Sequence, residues 1–448
     1  MSNVNISTLE SKAPSPDQMK ISHFGKEFDP YDYGMDDGYG LWGAAFHIIR
    51  YTFGTGILLL PYTLKTVGYA NGIILLSLVS VFYFHNMHIL ISFEHQLCKL
   101  LKVKQITYSS LAKKTFENHP FPANKFGSLV SQVLLIYLCS LVCPSTYLLI
   151  FASSVQNLAK YFDLDWNIIH IITVAMVPIL IFSMFRKLLK ILVPFSAITN
   201  LFSLIMAAVL VTCCIIYRDP AANIRPFGDL NCVPQTVAAQ LQAILCTLSI
   251  LPIKNYMRQP QCMGSSYGAL NISALALTFV YIIFALVSYL CFGENVEENI
   301  LSNLPKNNFL SFIIHIMYAT AMFVIYLLSF SVTFDNMWPD IELIISDNKY
   351  KVLIEFGTRI GINGWAYFLA VGIPNLALIL TISGTLAIVF EVALVPGLEL
   401  VLVFRSEKKC LLTIFKDIVI IIIVAILFYM SLVDCVKEVK KLYSEKMD

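Results

Sequence analysis

The stretch Ile48-Ile49-Arg50-Tyr51-Thr52-Phe53-Gly54-Thr55-Gly56-Ile57-Leu58-Leu59-Leu60-Pro61-Tyr62 lies inside an apolar run from Leu41 to about Leu64. A run of that length crosses a bilayer. Its middle nevertheless holds Gly-Thr-Gly, and a proline follows. Glycine loses more backbone entropy on helix formation than any other residue, and proline has no amide to donate. In lipid an unpaired backbone group is costly, so a broken span persists only where the freed groups line a protein-covered cavity. Half-helix ends exposed there offer amides to a carboxylate and carbonyls to a cation. Close helix packing or a simple kink is the competing reading, since both residues are common in membrane helices.

Composition extends this reading to the whole chain. Of the 448 residues 57% are hydrophobic and 13% charged, and the mean hydropathy is +0.72. Soluble globular chains carry about 25% charged residues, so the bilayer is the solvent here. A net charge of +2 gives no support to nucleic-acid binding. The eleven cysteines form no CxxC pair, and no metal cluster, paired carboxylates, nucleophile motif or cofactor motif points to an enzyme. Cys232, Cys291 and Cys435 fall on one expected side, where a disulfide has no assigned pairing.

Residues 1–40 read as a polar, disordered cytosolic tail without a cleavable signal, so the first span acts as its own signal. The membrane domain runs over 41–433 and a short tail over 434–448. Spans are expected at 41–64, 70–93, 127–152, 167–184, 191–216, 234–253, 269–292, 309–334, 364–380, 383–404 and 411–433, about eleven helices in all. With the N-terminus inside, the inner loops carry 17 Lys and Arg residues and the outer loops 5, which favours that orientation. Lys99–Lys125 and Asp335–Asn363 are then cytosolic loops.

Several residues carry possible chemistry. His47 lies seven residues before Gly54, two turns along the same face. Histidine changes charge near neutral pH, and ionisable groups inside membranes are usually functional; a neutral ring bonded to a carbonyl is the alternative. Arg50 must face water or a partner. His85 and His88 share a face but lack a third metal ligand. Glu94 and His95 mark the cytosolic edge. Tyr147, and Tyr326 with Phe330 one turn later, are candidate pocket walls or ordinary packing. Ser383, Gly384 and Thr385 form a small-residue surface suited to helix packing.

His47, Gly54-Thr55-Gly56-Ile57-Leu58 and Pro61 resemble the first helix of proton-coupled amino acid transporters of the amino acid/auxin permease group. Other fragments agree in order: His85-Asn86-Met87-His88-Ile89-Leu90, Pro194-Phe195-Ser196, Tyr289-Leu290-Cys291-Phe292-Gly293 and Asn303-Leu304-Pro305. The resemblance covers roughly residues 40 to 435. It implies an all-α polytopic membrane protein with a 5+5 inverted-repeat, LeuT-type transporter fold, in which the first and sixth spans are broken. It also implies secondary transport of small neutral amino acids by alternating access, with His47 as the proton-coupling residue. The substrate would meet Gly54, Thr55, Gly56, Tyr147, Thr247, Ser249, Tyr326 and Phe330. Plasma membrane and lysosomal or vacuolar membrane both suit the family.

The sixth span departs from that pattern. Leu245 stands in place of a glutamate, Cys246 and Leu248 in place of glycines, and Lys254 in place of a later acid. Pro252, Thr247 and Ser249 still permit a break. This departure keeps two further readings open: a facilitative carrier, and a non-transporting amino acid sensor on the same scaffold.

Overall fold

In the computed structural model the described residues are 28–53, 55–106, 108–116, 125, 139–185, 205–220, 222–305, 308–345, 350–373, 375–405 and 411–444. Along this part of the chain run α1 (Leu41–Thr52), α2 (Leu60–Val67), α3 (Tyr69–Leu101), α4 (Tyr108–Phe116), α5 (Cys139–Tyr161) and α6 (Ile168–Ser183). After them come α7 (Ile205–Ile216), α8 (Val233–Ile244), α9 (Thr247–Asn255), α10 (Ala269–Phe292), α11 (Phe309–Ile344), α12 (Lys351–Gly372), α13 (Leu376–Ala387), α14 (Leu394–Arg405) and α15 (Leu411–Ser444). No β-strand occurs among the described residues; one isolated bridge joins Tyr39 to Met257.

This is an all-α polytopic membrane protein. Among the described residues five helices are long and apolar enough to cross a bilayer, and a sixth span is made by α1 and α2, bent by 56° at their break. The expected third and fifth spans lie partly outside the described residues. Asparagine side chains set several helix starts: Asn167 accepts from the Ile169 amide, Asn308 from that of Leu310 and Asn375 from that of Leu378. Each such cap is worth about 1 kcal/mol.

Four boundaries differ from expectation. The ninth and tenth spans divide at 373–375, not near 381: proline at 374 has no amide, Asn375 caps α13, and Glu298 accepts from Asn375 Nδ2 at 2.8 Å and from the Ala377 amide at 3.3 Å. The expected inner loop Asp335–Asn363 is mostly helix, because α11 continues to Ile344 and α12 begins at Lys351. Residues 28–40, expected within the disordered tail, form a docked strap, whereas residues 1–27 lie outside the described part. The short C-terminal tail likewise continues α15 as far as Ser444. Cys232, Cys291 and Cys435 are free thiols.

The helices cross through an apolar core that includes Ile48, Ile57, Tyr83, Ile244, Tyr281 and Phe330. Gly384 serves the packing expected of its small-residue surface, since a Cβ there would fall 1.9 Å from the Ala238 carbonyl oxygen of α8.

Candidate functional site

The first break follows from the sequence. α1 ends at Thr52, Phe53 turns to an extended conformation (φ −74°, ψ 91°), and a 3-10 turn over Thr55–Leu59 leads into α2. Gly54 lies outside the described residues, and nothing is described of the Thr55 side chain. Gly56 packs directly on α8: a Cβ there would sit 2.3 Å from Ala243 Cα. Carbon atoms rest at about 3.5–4.0 Å, so only glycine lets the two backbones approach this closely.

The second break forms without glycine. α8 stops at Ile244, Leu245 is extended (φ −62°, ψ 123°), and α9 restarts at Thr247. The freed groups are paired by side chains from elsewhere. The Cys246 amide donates to Tyr83 Oη at 2.7 Å, and Tyr83 Oη is 2.8 Å from Thr247 Oγ1. Ser249 Oγ donates to the Cys246 carbonyl at 2.7 Å. The Tyr281 hydroxyl of α10 faces the carbonyls of Thr52 at 3.0 Å and Ala243 at 3.2 Å. One phenol thus serves the carbonyl ends of both half-helices. Buried carbonyls that lose a helical partner need such donors.

A cleft of about 530 Å³, open to solvent, reaches Leu59 at the first break and is lined also by Tyr62, Thr63, Gln235, Thr236, Thr381, Glu298 and Glu438. Glu438 on α15 and Glu298 in the loop before α11 therefore lie on one side of the molecule. Beside Thr63, the buried Gln240 donates to the Gly72 carbonyl at 3.0 Å while its Oε1 has no donor.

On the opposite side the strap covers the end of α9. The Met35 amide donates to the Met257 carbonyl at 3.0 Å and the Tyr39 amide to that of Tyr256 at 2.8 Å; the Arg258 amide returns to Tyr39 at 2.9 Å. Gly34 and Gly38 make this approach feasible, as a Cβ on either would fall 1.9 Å and 2.4 Å from the Arg258 and Tyr256 oxygens. The Tyr31 ring stacks on His95 with centroids 3.9 Å apart, and Lys254 Nζ sits 5.4 Å from the Tyr31 ring centre. Burial, then the Glu94 and Asp29 carboxylates, push the Tyr31 hydroxyl up to about 12.

Lys254 and Glu94 form a buried ion pair, 3% and 1% exposed. Glu94 is thus no exposed edge residue, and Lys254 no loop cation. Cys98 Sγ donates to the same carboxylate at 3.2 Å. Arg359, another expected loop cation, is buried in α12, where it donates to the Ser183 carbonyl at 2.7 Å and pairs with Glu355.

The sequence-derived site residues separate into two groups. Gly56, Thr247 and Ser249 meet at the breaks, the last two holding the backbone. Tyr326 instead donates to Asn363 Oδ1 at 2.9 Å, and Phe330 packs with Phe334, both in the contact of α11 with its neighbours. Tyr147 is half-buried in α5. His47 is half-buried one turn from Arg50, its ring 4.2 Å from that of Tyr39. His88 is bonded to Asn271 of α10 at 2.6 Å. Sequence reasoning missed Tyr83 and Tyr281, whose only signal was a buried phenol in need of an acceptor.

Known proteins resemble this chain in sequence. A Drosophila melanogaster protein named proton-coupled amino acid transporter-like protein pathetic is 23% identical over 334 residues, 74% of this chain and 70% of its own length. The Caenorhabditis elegans probable amino acid transporter skat-1 is 21% identical over 387 residues, covering 83% of this chain and 82% of its own. The sequence model of the family described as transmembrane amino acid transporter protein matches residues 37–436, and the chain belongs to that family.

Proposed function

We propose that this chain carries small neutral amino acids across its membrane by alternating access, through an eleven-span, 5+5 arrangement with the two breaks at its centre. The observation that carries the reading is the pair of breaks side by side, tied through Tyr281, with an open cleft that extends to Leu59 at the end of the first. The substrate carboxylate meets backbone amides around Gly54–Gly56. The Gln240 Oε1 acceptor suits its ammonium. Cys246 and Leu248 stand where the family has glycines, which favours small substrates. Thr55, Thr247 and Ser249 lie at the breaks; Tyr147, Tyr326 and Phe330 support the wall from the helices behind. The name of the Drosophila relative supports proton coupling, and His47 is the residue that the family resemblance gives to it.

The sensor reading drew on the altered sixth span. The break at Leu245–Cys246 forms all the same, braced by Tyr83 and Tyr281, and this favours a carrier. The test is uptake of labelled glycine, alanine, leucine and phenylalanine into liposomes holding the purified protein. Saturable uptake of the small members supports the reading. Binding without uptake of any member would establish the sensor instead.

A further inference from the structure

A group of charges outside the breaks lies where α14 and α15 meet α3. Glu399 of α14 and Asp417 of α15 are 7% and 0% exposed. Lys416 Nζ sits 3.1 Å from Glu399 Oε2 and 3.2 Å from Asp417 Oδ1. The Lys416–Asp417 contact lacks hydrogen-bond geometry, and both Asp417 oxygens are buried without a donor. Asp417 is six residues into α15, about 9 Å from its start.

Charge arithmetic makes the group incomplete. Two carboxylates and one ammonium leave a net charge of minus one, and a buried charge without compensation is strongly destabilising. Two carboxylates that share a site disfavour ionisation of both at once. Among the described side chains no cation other than Lys416 pairs with either carboxylate. On α3, His88 is engaged by Asn271 and His85 is exposed, though within electrostatic reach of Lys416 and Glu399. On α4, Lys113 is exposed and Lys114 half-buried. Arg405 ends α14. Next to the group, the chain between α13 and α14 forms a π-helical turn over Ile388–Ala393, and its Val392 carbonyl accepts from Asn86 of α3 at 3.1 Å. Such turns mark places where a helix changes register.

We propose that the Glu399–Asp417 pair, bridged by Lys416, is a second station, beyond His47, for the one exchangeable proton that crosses with the amino acid. The proton comes from water on one side, resides on a carboxyl oxygen and returns to water on the other side, leaving the group neutral only while it is held. The proposal rests on the carrier reading above.

Two measurements on purified protein in liposomes test it. In infrared difference spectra between neutral and acidic buffer, wild type shows a protonated-carboxyl band that Asp417→Asn with Glu399→Gln removes. This readout does not depend on transport. In parallel, amino acid uptake and the internal pH are followed together. Asp417→Asn keeps exchange of labelled for unlabelled amino acid but lowers the proton flux per amino acid about tenfold or more. Lys416→Met, which leaves the carboxylates without their cation, moves the pH midpoint of uptake upward by about one unit, a displacement that misfolding alone does not produce. An unchanged band in the double variant, wild-type proton flux in Asp417→Asn, or wild-type uptake without proton movement overturns the proposal. Absence of uptake of every amino acid by wild type refutes the carrier reading, and with it co-transport, even where the infrared band is present.

Discussion

Replacing Lys254 by methionine leaves the Glu94 carboxylate buried at 1% exposure with only the Cys98 thiol as donor. Removing one member of a buried pair costs about 3–5 kcal/mol, in line with roughly 4 kcal/mol for two unit charges in contact at an effective dielectric near 20. The pair joins α3 to α9, the half-helix beyond the second break, so that cost falls on the closed arrangement of this end. Against about 1.4 kcal/mol per decade, it favours opening by about a hundredfold or more. Cys98 is a built-in reporter, 0% exposed when the pair is intact. Its alkylation by a membrane-permeant maleimide, read by mass spectrometry of the Cys98 peptide, accelerates by a comparable factor in Lys254→Met. Adding Glu94→Leu removes the stranded charge and restores much of the protection. If Cys98 stays protected in folded Lys254→Met protein, or if the two substitutions simply add, the pair does not hold this end closed.

Gly56→Ala forces a Cβ onto the Ala243 Cα, costs about 1–3 kcal/mol and abolishes uptake; Ala243→Gly does not rescue it, because the obstacle is a backbone atom, and rescue would disprove the close approach. Tyr281→Phe leaves two buried carbonyls short of a donor, about 1–3 kcal/mol, and lowers uptake at unchanged surface abundance; unimpaired uptake would remove Tyr281 from the site. Gly34→Val detaches the strap and speeds proteolysis within residues 28–40, whereas wild-type cleavage rates refute its docking. Because the Tyr31 hydroxyl is raised above its ordinary value to about 12, its neutral form supports docking fully below about pH 10 and loses that support as pH rises toward 12; strap protection that does not fall between about pH 10 and 12 would count against this assignment. Cysteines placed at Lys102 and Lys408 should label only from the cytosol.

The first break was legible because glycine and proline state a backbone preference at the position where they stand. The second was expected only through the family resemblance, because its support comes from Tyr83, 163 positions away from Cys246, and from Tyr281, 38 positions from Ala243. Lys254 was counted among loop cations since a charge tally cannot see Glu94, 160 positions off. The division of the ninth and tenth spans was hidden by continuous hydropathy across Pro374. The strap was invisible for another reason: it binds through main-chain groups, and main-chain pairing leaves little mark on composition.

The strap also imposes an order on biosynthesis. Gly38 meets Arg258 across 220 positions, and at 5–20 residues per second its partner emerges roughly 10–40 s later. Until then Phe28–Gly40 has only the His95 end of α3 to rest on and lacks its main-chain partners at Tyr256–Arg258. By the time the strap can settle, α1 to α9 have been made and the second broken helix must be in place. A docked strap therefore certifies that the first half of the chain has assembled with its sixth span, and an undocked one leaves an exposed segment for quality control to find.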